Sequence, residues 1–163
     1  MSSPGSTAYA VDLVSCAALT VSVSTFKCLK ESQYDVVFIR GYTGAYQGQI
    51  DPFSDVNIKN AAAAGLGVEV VMIPQPTSAS KTGAKQFDEM YEKLQEANIT
   101  IRSIWVQVTS PRDWSTSSTA NVNFLNSIFE RALEHNLTIG IYTNSEEWDQ
   151  ITDSATTRNV KLW

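Results

Sequence analysis

Long apolar runs and excess basic charge are both lacking in this sequence. The longest apolar candidate, residues 61–73, is interrupted by Glu69 and is shorter than the about 20 residues that a membrane span needs. Lys and Arg total 12 against 17 Asp and Glu, and the net charge of -5 argues against a broad basic surface. We therefore expect neither a nucleic acid nor a membrane as partner. No secretory signal is visible, because Asp12 breaks the first apolar stretch and no basic region precedes it.

Cysteine and histidine are also scarce. Cys16 and Cys28 are the two cysteines, and the sequence is compatible with one disulfide or with two buried thiols. The single histidine, His135, lies near the end of a predicted helix, where the helix dipole favours it for structural reasons. Because there is no glycine-rich phosphate loop and no zinc-ligand cluster, we predict no cofactor and no metal site.

What the sequence does contain is a regular alternation of short apolar runs and amphipathic segments. It predicts strands near 9–14, 36–41, 67–73, 101–109 and 138–143, helices near 21–32, 54–64, 80–97, 119–135 and 145–151, and a sixth strand from Asn159. Ser80 is expected to cap the third helix, Ser118 or Thr119 the fourth, and Gly65 to end the second. Successive βα units imply an α/β fold with a parallel sheet, either open or closed into a barrel.

Polar side chains share one face of this predicted sheet. Period-two alternation along each strand gathers Asp12, Arg40, Glu69, Gln107, Thr109 and Tyr142. Charges among apolar neighbours must be paired, so Arg40 can neutralise Asp12 or Glu69 and the set can simply fill the interior. Alternatively, the set forms a functional site at the carboxyl ends of the strands. Aromatic residues on or just after strand ends could stack on a sugar there, namely Trp105, Tyr42, Tyr46, Trp114 and Trp148.

Six segments in order resemble one known family. They are AYAVDLVS with the following STFKCLK, VVFIRGYTG leading to GQID, NAAAAGLGVEVVMIPQP, SKTGAKQF, IWVQVTSPRDW and IGIYTNSEEW. Together they are similar to the glycoside hydrolase family 25 lysozymes, in particular the nematode and amoeba-like branch. The resemblance covers nearly the whole chain.

The resemblance implies a β/α (TIM-like) barrel that cuts bacterial peptidoglycan between N-acetylmuramic acid and N-acetylglucosamine. It also implies a secreted or lysosomal location and a role in bacterial digestion or innate antibacterial defence. We expect residues 1–8 to form a flexible segment and residues 9–163 one barrel domain that is incomplete in strand six. By position, Asp12 matches the family's acidic residue on the first strand, Arg40 a basic residue on the second, and Tyr142 the tyrosine on the fifth.

The fourth strand departs from the family pattern. Where the family's enzymes carry Asp-x-Glu, this sequence reads Gln107-Val108-Thr109. The missing Glu is expected to protonate the leaving glycosidic oxygen, which neither an amide nor a hydroxyl can do. Glu69 could serve as the acid instead if burial raised its pKa, or it could be paired with Arg40.

Three hypotheses follow for the function. The chain is a lysozyme-type hydrolase with weak or lost activity, in which Asp12 and Glu69 are catalytic and Arg40, Trp105, Gln107, Thr109 and Tyr142 bind substrate. Alternatively, it is a catalytically silent relative, a possible pseudoenzyme, that still binds amino-sugar polymers. A third alternative is an incomplete copy that forms no stable site.

Overall fold

The computed structural model describes residues 8–13, 19–157 and 160–163. The described strands are β1 (Ala10–Asp12), β2 (Val36–Thr43), β3 (Gln49–Ile50), β4 (Gly67–Met72), β5 (Ser103–Gln107), β6 (Thr138–Tyr142) and β7 (Val160–Leu162). The described α-helices are α1 (Val23–Glu31), α2 (Ser54–Ala63), α3 (Gly83–Glu96), α4 (Ser118–Glu134) and α5 (Ser145–Thr152). The alternation of strands and helices predicted from the sequence is therefore confirmed, with element ends shifted by a few residues.

The sheet follows chain order. Its strands pair as β1-β2-β4-β5-β6-β7, all parallel, and β3 pairs antiparallel with the end of β2. An open doubly wound sheet reverses its strand order at a switch point, whereas a barrel does not. The ring of Trp163, directly after β7, lies 3.6 Å from that of Phe38 on β2, so the sheet curls strongly. The fold is thus an α/β half-barrel, and the barrel prediction is confirmed to this extent.

The main hydrophobic core lies between the convex face of the sheet and the helices. Alternate apolar residues of the strands pack there, including Val37, Ile39, Val70, Ile104 and Val106. Helix residues such as Phe26, Ile58, Phe87, Leu125 and Ile128 cover them and are buried in the same cluster. The other alternate side chains of each strand face the concave side of the sheet.

Two helix caps differ from the prediction. The side chain of Thr82, not Ser80, accepts the backbone N–H of Lys85 at the start of α3. In the same way Ser117, rather than Ser118 or Thr119, caps α4. Both residues have extended backbone, the conformation that lets a short hydroxyl side chain reach the first turn. The predicted end of α2 is confirmed, because Gly65 follows it with a φ of +82°.

Some predictions fall in segments with no description. Cys16, Asn159 and residue 14 of the first predicted strand lie outside the described residues. Cys28 is exposed on α1, so the alternative of two buried thiols is wrong for this cysteine. Within the described residues, no helix is long and apolar enough to cross a membrane.

Candidate functional site at the concave face

The concave face carries the polar residues that strand alternation predicted. Phe38, Val71 and Trp105 form a small buried cluster that is separate from the main core. The register aligns Asp12 with Phe38, and Gln107 with Tyr142. The side chains of these polar residues therefore lie on the same face of the sheet as that cluster, and we say that they have the same parity. Arg40 on β2 and Glu69 on β4 also have this parity, and Thr109 follows β5 two residues after Gln107. We call the concave surface formed by Asp12, Arg40, Gln107, Thr109 and Tyr142 the mouth.

Arg40 is held by a residue that the sequence analysis missed. Its Nε lies 2.8 Å from Oδ2 of Asp51, which follows β3 and is 1% exposed. The other carboxylate oxygen of Asp51 accepts the backbone N–H of Phe53 at 2.9 Å. The predicted pairing of Arg40 with Glu69 is wrong, because β3 folds back onto the end of β2 and brings Asp51 to the guanidinium first.

Glu69 has other partners. One of its carboxylate oxygens accepts a hydrogen bond from the indole Nε1–H of Trp105 at 3.0 Å and another from the hydroxyl of Ser103. All three residues lie on the concave face of β4 and β5. Val71 on β4 aligns with Trp105 on β5, so Glu69 lies opposite Ser103. The Glu69–Ser103 level is two residues nearer to the amino ends of the strands than Trp105, and we describe it as below Trp105.

Gln107 and Thr109, which the resemblance aligns with an Asp-x-Glu pair, bind each other. Gln107 Nε2 donates to the Thr109 hydroxyl at 2.8 Å. The backbone carbonyl of Thr109 accepts from the indole of Trp114 at 3.0 Å, which fixes the chain just after β5. The side chains of both Gln107 and Thr109 are half-buried and reach the mouth as an amide and a hydroxyl. This strand end therefore offers hydrogen bonds but no carboxyl proton.

Asp12 and Tyr142 complete the mouth. Asp12 is the last residue of β1, and its side chain is half-buried and engaged with neighbouring groups. Tyr142 ends β6, is also half-buried, and meets the ring of Trp163 edge-on at 5.5 Å. Carboxylates, hydroxyls and aromatic rings in one concavity suit the binding of a sugar. In the described part of the chain, no three His, Cys, Asp or Glu side chains come together as a metal site.

An aromatic floor lies beneath the mouth, formed by Phe38, Trp105 and Trp163. Trp105 contacts the rings of Phe38 at 5.3 Å and Trp163 at 5.9 Å, both edge-on. Its indole passes over Gly140 of β6, where a Cβ would overlap the ring. A glycine inside a strand often marks such a close approach. Gly140 could therefore have indicated from the sequence that a large side chain lies over β6. Trp105 is 8% exposed and is therefore a packed floor more than an open platform.

Most of the other aromatic residues proposed for sugar stacking lie elsewhere. Gly41 is an extra residue in the β2–β4 register, and this bulge turns Tyr42 to the convex face, where it is fully buried. Burial, and then its hydrogen bond to Glu89, raise the pKa of Tyr42. Trp114 is buried after β5, and Trp148 on α5 donates to a backbone carbonyl. Tyr42 and Trp114 are thus structural, which corrects the sequence-based expectation, whereas Tyr46 is 86% exposed.

Comparison with known proteins gives one consistent result. The family model described as lysozyme-like protein 1 matches residues 3–163. Lysozyme-like protein 1 of Caenorhabditis elegans is 51% identical over 158 residues, which are 96% of this chain and 51% of that protein. A Dictyostelium discoideum protein named probable GH family 25 lysozyme 2 is 33% identical over 131 residues, 80% of this chain and 59% of that protein. The chain thus spans about half the length of the curated relatives it matches.

Solved structures share the fold. A family 25 glycosyl hydrolase from Bacillus anthracis superposes with a TM-score of 0.73 at 15% sequence identity, over 96% of this chain and 69% of that one. At this identity the likeness concerns the fold alone. It agrees with the curled parallel sheet described above.

Proposed function

Because the chain belongs to the lysozyme-like protein 1 family, a family of GH25-like lysozymes, we propose that it acts on bacterial peptidoglycan. The glycan strand is held at the mouth, and the bond cleaved is the one between N-acetylmuramic acid and N-acetylglucosamine. In keeping with this substrate, we propose a secreted or lysosomal protein that digests bacteria or defends against them.

The single observation that carries the proposal is the composition of the mouth. Asp12, Arg40 and Tyr142, the three residues that match the family by position, share the concave face of the half-barrel. The ion pair with Asp51 fixes the guanidinium of Arg40 in place. A fixed guanidinium and a carboxylate, together with a half-buried tyrosine, supply hydrogen-bond donors and acceptors for a polyhydroxylated ligand.

Hydrolysis at this mouth is expected to be weak. Glycoside hydrolysis needs one carboxyl group to protonate the leaving oxygen and a second to activate water or attack the sugar. Asp12 is proposed as one catalytic carboxylate. The Gln107–Thr109 pair holds no carboxyl group, and losing general acid catalysis costs about two to four orders of magnitude in rate. The sequence suggests Glu69 as a substitute acid, but we do not assign it this role, because its carboxylate is bound by Trp105 and Ser103.

A second candidate function is favoured by the same hydrogen bond. Because Gln107 donates to the Thr109 hydroxyl, these two side chains have a partner in each other where the family has its acids, as expected in a catalytically silent protein that binds amino-sugar polymers. In this case Trp105, Tyr142 and the Gln107–Thr109 pair contribute binding without bond cleavage.

The test is the release of soluble muropeptides from purified peptidoglycan, analysed by mass. The wild type is compared with Asp12→Asn and with the double variant Gln107→Asp, Thr109→Glu. Slow release that Asp12→Asn abolishes supports a hydrolase. Release by the double variant alone supports the silent binder. If the wild type and the double variant both fail to release muropeptides, and both fail to be retained on insoluble peptidoglycan, the proposed function is wrong.

A further inference from the structure

We infer that Glu69 is a positioning residue, which holds the Trp105 indole as the floor of the glycan-binding mouth, rather than the acid that protonates the substrate. The inference deepens the proposed function and rests on it for the identity of the ligand. The anchoring of the indole itself rests only on contacts within the chain.

The position of Glu69 along the barrel is the first argument. Glu69 lies opposite Ser103, four residues before Gln107 on the neighbouring strand. At about 3.3 Å per residue, its backbone lies about 13 Å below Gln107, the last residue of β5, and further below Thr109, which the resemblance aligns with the family's general acid. The Trp105 side chain lies between Glu69 and this strand end, because its backbone is at the intermediate level and its Nε1 reaches down to the carboxylate.

The hydrogen bonds of Glu69 are the second argument. The same carboxylate oxygen accepts from Trp105 Nε1–H and from the Ser103 hydroxyl. Both donors belong to the protein itself, so this oxygen is already occupied as an acceptor. A general acid must instead present a proton to the leaving oxygen of the substrate. These partners suit a fixed acceptor.

The fit of the indole is the third argument. Gly140 removes the Cβ that would block the ring on the β6 side, while Glu69 accepts its N–H on the β4 side. The rings of Phe38 and Trp163 meet it edge-on. The indole is therefore fixed at both ends, and the acceptor at Nε1 is the polar contact that sets its rotation.

The experiment reads the Trp105 indole N–H signal in ¹H–¹⁵N spectra of the whole chain, assigned with Trp105→Phe. Glu69→Gln keeps an oxygen acceptor of the same shape, whereas Glu69→Leu removes it. Ser103→Ala tests the second donor, and Glu96→Leu, an exposed helix position, is the matched control. Retention on insoluble peptidoglycan is measured for each protein.

We expect Glu69→Leu to move the Trp105 signal and to weaken retention about 3- to 10-fold, as for the loss of one hydrogen bond that orders a binding group. Glu69→Gln should remain close to the wild type in both the Trp105 signal and the retention. Ser103→Ala should leave the Trp105 signal unchanged. An unmoved Trp105 signal in Glu69→Leu overturns the inference. Loss of muropeptide release in Glu69→Gln with normal retention overturns it too, because the proton is then required. Should the wild type fail to bind peptidoglycan while the spectra behave as expected, the proposed function fails and the anchoring of Trp105 holds.

Discussion

The buried pair of Arg40 and Asp51 allows a sharp prediction about stability. Asp51 is 1% exposed and Arg40 19%, and their atoms are 2.8 Å apart. Asp51→Ala leaves the guanidinium without its partner and Phe53 N–H without its acceptor. Removing one partner of a buried pair costs about 3–5 kcal/mol, and the partial exposure of Arg40 places the expected loss at about 3 kcal/mol. Asp51→Asn keeps an oxygen for Phe53 N–H and should therefore lose less than Asp51→Ala.

Urea denaturation of the whole chain measures these losses. The midpoint should fall while the slope of the free energy of unfolding against urea stays constant. Lys30→Ala is the matched control, because its pair with Asp35 is 42% and 46% exposed and should contribute less than about 1 kcal/mol. A loss below about 1 kcal/mol for Asp51→Ala would refute the reasoning. A gradual transition in the wild type would favour the hypothesis of an incomplete copy without a stable site.

Two further predictions concern the aromatic residues. Gly140→Ala should lower the free energy of unfolding by about 1–3 kcal/mol and change the tryptophan fluorescence, because the new Cβ overlaps the Trp105 ring. An unchanged urea midpoint and an unchanged fluorescence spectrum would contradict this prediction, because the ring would then have room to move. Tyr42 has a pKa raised by burial above its usual value of about 10, so its contribution to stability is complete below that pH and is lost as the pH rises through the folded-state value. Between pH of about 9 and about 11 the wild type should therefore lose more stability than Tyr42→Phe in urea denaturation, and equal losses would contradict the raised pKa.

Local periodicity was enough to predict the faces of the sheet. Side chains alternate strictly along a strand, so the parity of Glu69, Trp105 and Gln107 could be derived from the apolar residues next to them. The strand order also followed, because successive βα units place each parallel strand beside the one before it. The half-barrel and the content of its concave face were therefore accessible from the sequence.

Contacts that depend on distant segments could not be predicted in the same way. Asp51 reaches Arg40 only because the two-residue strand β3 returns to the end of β2, and nothing in its local pattern marks it as a partner. The bulge at Gly41 reverses the face of Tyr42, although period two places this residue with Arg40. One extra residue in a strand inverts every later side chain. The errors at Arg40 and Tyr42 come from such irregularities.

Binding of the wild type to purified, insoluble peptidoglycan tests the central claim most directly. Sedimentation with increasing amounts of the polymer would be compared for the wild type, Tyr142→Ala at the mouth and Glu96→Leu on an exposed helix face. The account predicts that the wild type and Glu96→Leu sediment with the polymer, while Tyr142→Ala binds about 10-fold more weakly, as for the loss of about 1.4 kcal/mol. A wild type that stays in solution, or a Tyr142→Ala variant that binds equally well, would contradict a glycan-binding mouth on the concave face.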